Sequence, residues 1–196
     1  MRKTTKLLRF SALAAGTLLL LASAVIVLSG MIRQSRAVSE NAKTLEFLEA
    51  YLPKKTAGFK EERYLAEMPS RCYEGTDYDG IFGYPRFGVK LPVGALWDKK
   101  DAEVFPCRYF GNASDGTLVI GGTDGKGQFD FVSSADIGDE VTFTDLRGAE
   151  YVYTVKEVRH SKKANAGNLT NSGFDLTLFA KDKKSGDYLI IRCNLS

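Results

Sequence analysis

Few residues of this chain could carry chemistry by type. There is one histidine, His160, and there are three cysteines, Cys72, Cys107 and Cys193; the one glycine-rich stretch runs from Gly121 to Gly127. A cysteine or serine nucleophile needs a base within hydrogen-bond reach. Nothing in the sequence brings such a partner to His160, which lies between Arg159 and the Lys162-Lys163 pair and reads as a surface histidine. The cysteines form no CxxC pair and, with a single histidine, offer no zinc spacing. Their odd number leaves a thiol unpaired unless chains are cross-linked, and the sequence assigns no disulfide. Gly121-Gly122-Thr123-Asp124-Gly125-Lys126-Gly127 fails as a phosphate loop, because Gly127 follows Lys126 where Ser or Thr is required. Asp124 and Asp130 are too sparse for a calcium loop. No metal and no cofactor is expected. The sequons at Asn112, Asn168 and Asn194 would matter only in a eukaryotic secretory pathway.

The elements that would position any site are mainly strands. Val141 and Phe143 alternate with Thr142 and Thr144, and Tyr151, Tyr153 and Val155 with Val152, Thr154 and Lys156. That period of two marks strands with one buried face. Asp145-Leu146-Arg147-Gly148 between them is a turn, which makes the pair a hairpin. Further strands are expected at Val89 to Val93, Thr117 to Ile120, Phe174 to Phe179 and Tyr188 to Asn194. Many short strands with Gly- and Asp-rich turns predict a closed or nearly closed antiparallel barrel of about eight strands. Before it, Ser39 can cap a helix carrying Leu45, Leu48 and Leu52 and ending at Pro53. A second short helix is expected through Tyr64, Leu65 and Met68, ending at Pro69. The polar loop from Ser161 to Ser172 is long enough to be mobile, and is either a recognition loop or a surface excursion.

The N-terminus has its own pattern. Arg2, Lys3, Lys6 and Arg9 precede an uncharged stretch from Phe10 to Met31. A helix over that stretch is roughly 33 Å long at about 1.5 Å per residue, enough for a hydrocarbon core of about 30 Å. Ala22-Ser23-Ala24 resembles a signal-peptide cleavage site, but the apolar run continues past it, which favours an uncleaved anchor. The basic cluster places residues 1–9 in the cytoplasm, and everything from about Ile32 onward outside the membrane. Net charge is +3, from 27 basic and 24 acidic residues. Without the four basic residues of the N-terminus, 23 basic residues face 24 acidic ones, near −1. That is no footprint for nucleic acid.

Several segments, in order over about residues 78–194, resemble the sortase family. Gly83-Tyr84-Pro85-Arg86-Phe87-Gly88-Val89-Lys90-Leu91-Pro92-Val93 is similar to its "IPKIGVKLPV" strands. Pro106 to Gly111 followed by Thr117 to Gly122 resembles the approach to its "IAGH" motif. Ile137 to Val155 is similar to its "IGDxVyltD…GxxYxYkV" hairpin, and Asp175-Leu176-Thr177-Leu178-Phe179 to its "LTLxTC" strand. The flavour is that of class B or class D enzymes of Gram-positive bacteria. The resemblance implies a β-barrel cysteine transpeptidase acting on LPxTG-like sorting signals, with a cysteine nucleophile, a histidine proton shuttle and an arginine for the oxyanion. Matched residue by residue, the histidine falls on Thr123, the cysteine on Lys181 and the arginine on Tyr188. Shifted residues do not restore them: Cys193 would lie some 17 Å beyond Tyr188 on the opposite face, and Arg192 about 13 Å along the strand. A Thr-Lys hydrolase pairing Thr123 with Lys181 is conceivable.

The expectation is therefore a basic segment at 1–9, a single-pass anchor at 10–31, a linker with helices at 32–77 and a sortase-like barrel at 78–196. It would be a cell-membrane pseudoenzyme with an extracytoplasmic domain, binding a peptide or a cell-wall or pilus partner in a groove of Thr123, Leu178, Ala180, Lys181 and Tyr188. The alternative is a transpeptidase or hydrolase with altered catalytic residues.

Overall fold

The computed structural model describes residues 2–53 and 68–196, with side chains from residue 16 onward, residue 33 excepted. The chain forms two compact units, Met1–Arg36 and Ala37–Ser196. Helix α1, Arg2–Tyr51, begins in the first unit and ends in the second. In the first unit, Leu18 to Ile32 present large apolar side chains 53–72% exposed. This is the one helix among the described residues long and apolar enough to cross a membrane. The hydroxyls of Ser23 and Ser29 donate to the carbonyls of Leu20 and Ile26, each at 2.8 Å. Both are thereby satisfied within the helix, as an apolar medium demands.

In the second unit α1 packs on the outside of a β-barrel. Leu48 is fully buried among Tyr78, Ile81, Phe105, Cys107 and Leu146, with Leu45 and Leu52 half-buried beside it. The apolar spacing is thus met, but Ser39 caps nothing. The helix runs through it, so its neighbouring N–H groups are supplied by the preceding turn. Of the second expected helix, Tyr64 and Leu65 lie outside the described residues; Met68 packs against the barrel core.

Among the described residues nine strands follow: β1 Arg71–Tyr73, β2 Thr76–Tyr84, β3 Val89–Gly94, β4 Cys107–Phe110, β5 Leu118–Thr123, β6 Glu140–Asp145, β7 Glu150–Ser161, β8 Leu176–Lys181 and β9 Tyr188–Leu195. Their order is β1-β2-β3-β4-β5-β8-β9-β7-β6, and β6 pairs back onto β2, so eight strands close a ring with β1 appended outside it. The barrel is not wholly antiparallel, since β3–β4 and β5–β8 run parallel. Parallel neighbours need crossover connections, and the β6/β7 hairpin is part of the crossover between β5 and β8. That hairpin follows the alternation in the sequence: Val141, Phe143, Tyr151, Tyr153 and Val155 are buried, whereas Thr142, Thr144, Val152 and Thr154 are half-exposed. Gly148 turns it at φ 83°, with its N–H bonded to the Asp145 carbonyl at 2.9 Å. The interior holds Phe82, Tyr84, Phe129, Phe131 and Phe143 among aliphatic side chains of every ring strand but β2 and β4.

Candidate functional site

Pairing brings the candidate residues into one row. Thr123 at the end of β5 is in register with Lys181 at the end of β8, and Lys181 with Tyr188 at the start of β9; Tyr188 in turn faces Ser161, the last residue of β7. Directly opposed residues share a sheet face, so the four side chains line one rim of the barrel's outer surface. Thr123 is the buried member. Its N–H and its Oγ1 both donate to Oε1 of the buried Gln128, at 3.1 and 3.2 Å. Lys181 is exposed and Tyr188 half-buried. Lys181 thus lacks the burial that a lysine base requires.

Leu178 and Ala180 do not belong to this surface. The pleat turns them inward, where they are 1% and 0% exposed in the barrel core opposite Ile191 and Leu189, which corrects their placement in the groove. The outward residue between them, Phe179, supplies what the sequence did not flag. Phe179 lies over Gly121, and its ring packs 5.2 Å from Trp97, 5.4 Å from Tyr109 and 6.5 Å from Tyr188. A Cβ on Gly121 would sit 2.1 Å from Phe179 Cζ and 2.6 Å from Trp97 Cζ3, so glycine is what admits this aromatic shelf. The available signal was the lone tryptophan together with a glycine inside an apolar strand.

No thiol, imidazole or guanidinium belongs to the row. Cys193 is inside the barrel opposite Leu176, and burial pushes its thiol up to about 12. Cys107 is buried in the cluster around Leu48, and its thiol is likewise raised to about 12, chiefly by burial. Cys72 is exposed on β1, and all three cysteines are free. His160 is exposed and pairs with Leu189 rather than with a row residue. Arg192 donates to Glu157 Oε2 at 3.1 Å and to the Asn168 carbonyl at 2.9 Å. Arg159, two residues before Ser161, has Glu157 as its partner at 3.6 Å.

The 161–172 segment is docked rather than loose. It carries a short helix α2, Ala166–Thr170, capped by Asn165 Oδ1, which accepts from Asn168 N–H at 2.9 Å. Leu169 is buried against Val119, Phe179 and Ile190. Two further segments extend the rim. Asp124 N–H donates to the Lys181 carbonyl at 3.2 Å, and Asp124 Oδ1 accepts from Lys183 N–H at 3.0 Å. Asp182 organises its turn by accepting from Ser185 Oγ and from the N–H groups of Lys184 and Ser185, which hold its carboxyl below the usual range. Asn41 of α1 donates to the carbonyls of Val104, at 3.1 Å, and Gly127, at 2.9 Å, and so holds the end of the 124–127 loop. Among the described residues no cluster of side chains could hold a metal ion.

No protein-family model matches the chain, and no curated protein matches its sequence. Solved structures do match. The sortase D5 transpeptidase of Clostridium perfringens aligns with a TM-score of 0.58 at 19% identity, over 81% of this chain and 99% of that one. Sortase A from Corynebacterium diphtheriae aligns at 0.54 and 17%, over 83% and 92%. Sortase C1 from Streptococcus agalactiae aligns at 0.50 and 20%, over 60% of this chain and 66% of that one. At these identities the likeness establishes the fold, which is a sortase-like closed barrel.

Proposed function

We propose that this chain is a membrane-anchored sortase-like pseudoenzyme whose outer rim binds an extended peptide of a cell-surface partner. The reading rests on the row Thr123, Lys181, Tyr188 and Ser161, since the sequence resemblance aligns its first three members with the histidine, cysteine and arginine of the family. Members of a Cys/Ser-His unit act together, and losing one commonly removes on the order of 10⁴- to 10⁶-fold in rate. With a threonine, a lysine and a phenol in those places, no acyl-enzyme thioester can form. The geometry supports binding instead: the Trp97, Tyr109, Phe179 and Tyr188 rings offer apolar contact, and the rim offers hydrogen-bonding groups. The apolar part of α1 would tether the barrel to the membrane with residues 1–9 in the cytoplasm.

The test is to incubate the full chain in detergent with LPxTG-type peptides and an amine acceptor, and to measure turnover and peptide binding in parallel. Binding without cleavage is expected, and an electrophilic peptide should leave the intact mass unchanged. Cleavage that disappears in Lys181→Ala, or an adduct on Lys181 or Thr123, would overturn the reading.

A further inference from the structure

Resting on the peptide-binding reading, we infer that the partner peptide is acidic and that a rim of lysines at the row's end recognises it. Thr123, Lys181 and Ser161 each end a strand at the same row. The segments that leave them carry Lys126, then Lys183 and Lys184, then Lys162 and Lys163, so with Lys181 six exposed lysines stand at one end of the barrel. The same stretches hold three aspartates, Asp124, Asp182 and Asp187. Two of these are occupied by backbone N–H groups, Asp124 by that of Lys183 and Asp182 by those of Lys184 and Ser185 in its own turn. None of the six ammonium groups forms an ion pair with a described residue. Beyond residue 9 the chain carries 23 basic against 24 acidic residues. The positive charge of this end is therefore a segregation within a near-neutral chain.

Such a field attracts an anionic partner and fixes its orientation. The shape at hand suits an extended peptide. Four neighbouring strands spaced about 4.8 Å apart make a row of roughly 14 Å, the length of about four or five extended residues. The aromatic shelf adjoins the row through the contact of Phe179 with Tyr188, 6.5 Å between ring centroids. An apolar side chain on the shelf and carboxylates among the lysines would be engaged together.

The experiment uses the full chain in discs of neutral phosphatidylcholine and labelled peptides of about eight residues. One peptide is rich in Asp and Glu around a single leucine, and the other replaces every acid by its amide. Fluorescence anisotropy should show the acidic peptide binding about tenfold more tightly, with the difference shrinking as salt is raised. The combined variant Lys181→Gln, Lys183→Gln, Lys184→Gln should abolish the difference, while Lys156→Gln, further back on β7, should leave it unchanged. Equal binding of the two peptides, or a difference indifferent to the combined variant, overturns the acidic preference and leaves peptide binding standing. Failure of both peptides to bind overturns both readings. If the acidic peptide fails while anionic phosphatidylglycerol discs protect the six lysines from acetylation, the rim's partner is lipid and the inference falls.

Discussion

Gly121 admits the aromatic shelf by having no side chain, and a methyl group there has nowhere to go. Its Cβ would meet two rings at 2.1 and 2.6 Å, and Phe179 is held from below by the buried Leu169 and Ile190. Gly121→Ala should therefore displace Trp97 and Phe179 at a cost of about 1–3 kcal/mol. The check is a denaturant titration together with Trp97 emission, which reports the shelf directly because the chain has a single tryptophan. An unchanged emission would mean that the rings do not pack there. Tyr153 is the opposite case. Its hydroxyl is buried with no hydrogen-bond partner among the described residues, a condition that costs free energy. Tyr153→Phe should be neutral or stabilising by about 1 kcal/mol in the same titration.

Two ion pairs tie the strands together, and they titrate in opposite directions. Burial alone would raise the Asp139 carboxyl, but hydrogen bonds from Tyr84 Oη at 2.6 Å, the Asp136 N–H at 3.0 Å and Arg86 outweigh it and hold it below the usual range. A depressed folded value contributes stability that is fully present above the unfolded value of about 3.9 and is lost as pH falls through the folded one. Asp139→Asn should therefore narrow the gap between melting temperatures at about pH 3 and pH 6. Asp79, fully buried in β2, is raised by burial despite its bond to Arg108 Nε. Its contribution runs the other way, present in acid and fading as pH rises. Arg108→Met alone would strand the carboxylate at a cost on the order of 3 kcal/mol, and adding Asp79→Leu should recover most of it. This buried pair was invisible in the sequence, because Asp79 and Arg108 stand 29 positions apart in segments whose polar residues look solvated. Strands, by contrast, were legible wherever one face is buried, as in the hairpin of Val141 and Phe143. Thr123, Lys181 and Tyr188 were named through resemblance alone, and strand register sets them in one row, whereas Leu178 and Ala180 turn inward on the other side of the pleat. The aromatic shelf and α2 depend on contacts between distant segments, which no local pattern encodes.

At the scale of the whole molecule, the proposed membrane anchoring is open to test, because Cys72 reports sidedness. It is exposed, whereas Cys107 and Cys193 are buried with thiols pushed up to about 12. A membrane-impermeant maleimide applied to intact cells should label the chain once, at Cys72, if the barrel lies outside; labelling only after lysis would place it in the cytoplasm. The strand order also governs how such a barrel comes into being. β9 is the last strand in the sequence, yet it sits between β7 and β8 and supplies Tyr188 to the row. A chain threaded across a membrane from its N-terminus would reach its far side with β7 and β8 emerging as two naked edges. Such edges invite pairing with other chains. Until the final segment slides between them the cylinder is unsealed and the row lacks Tyr188, so a partly folded chain presents two strand edges at once.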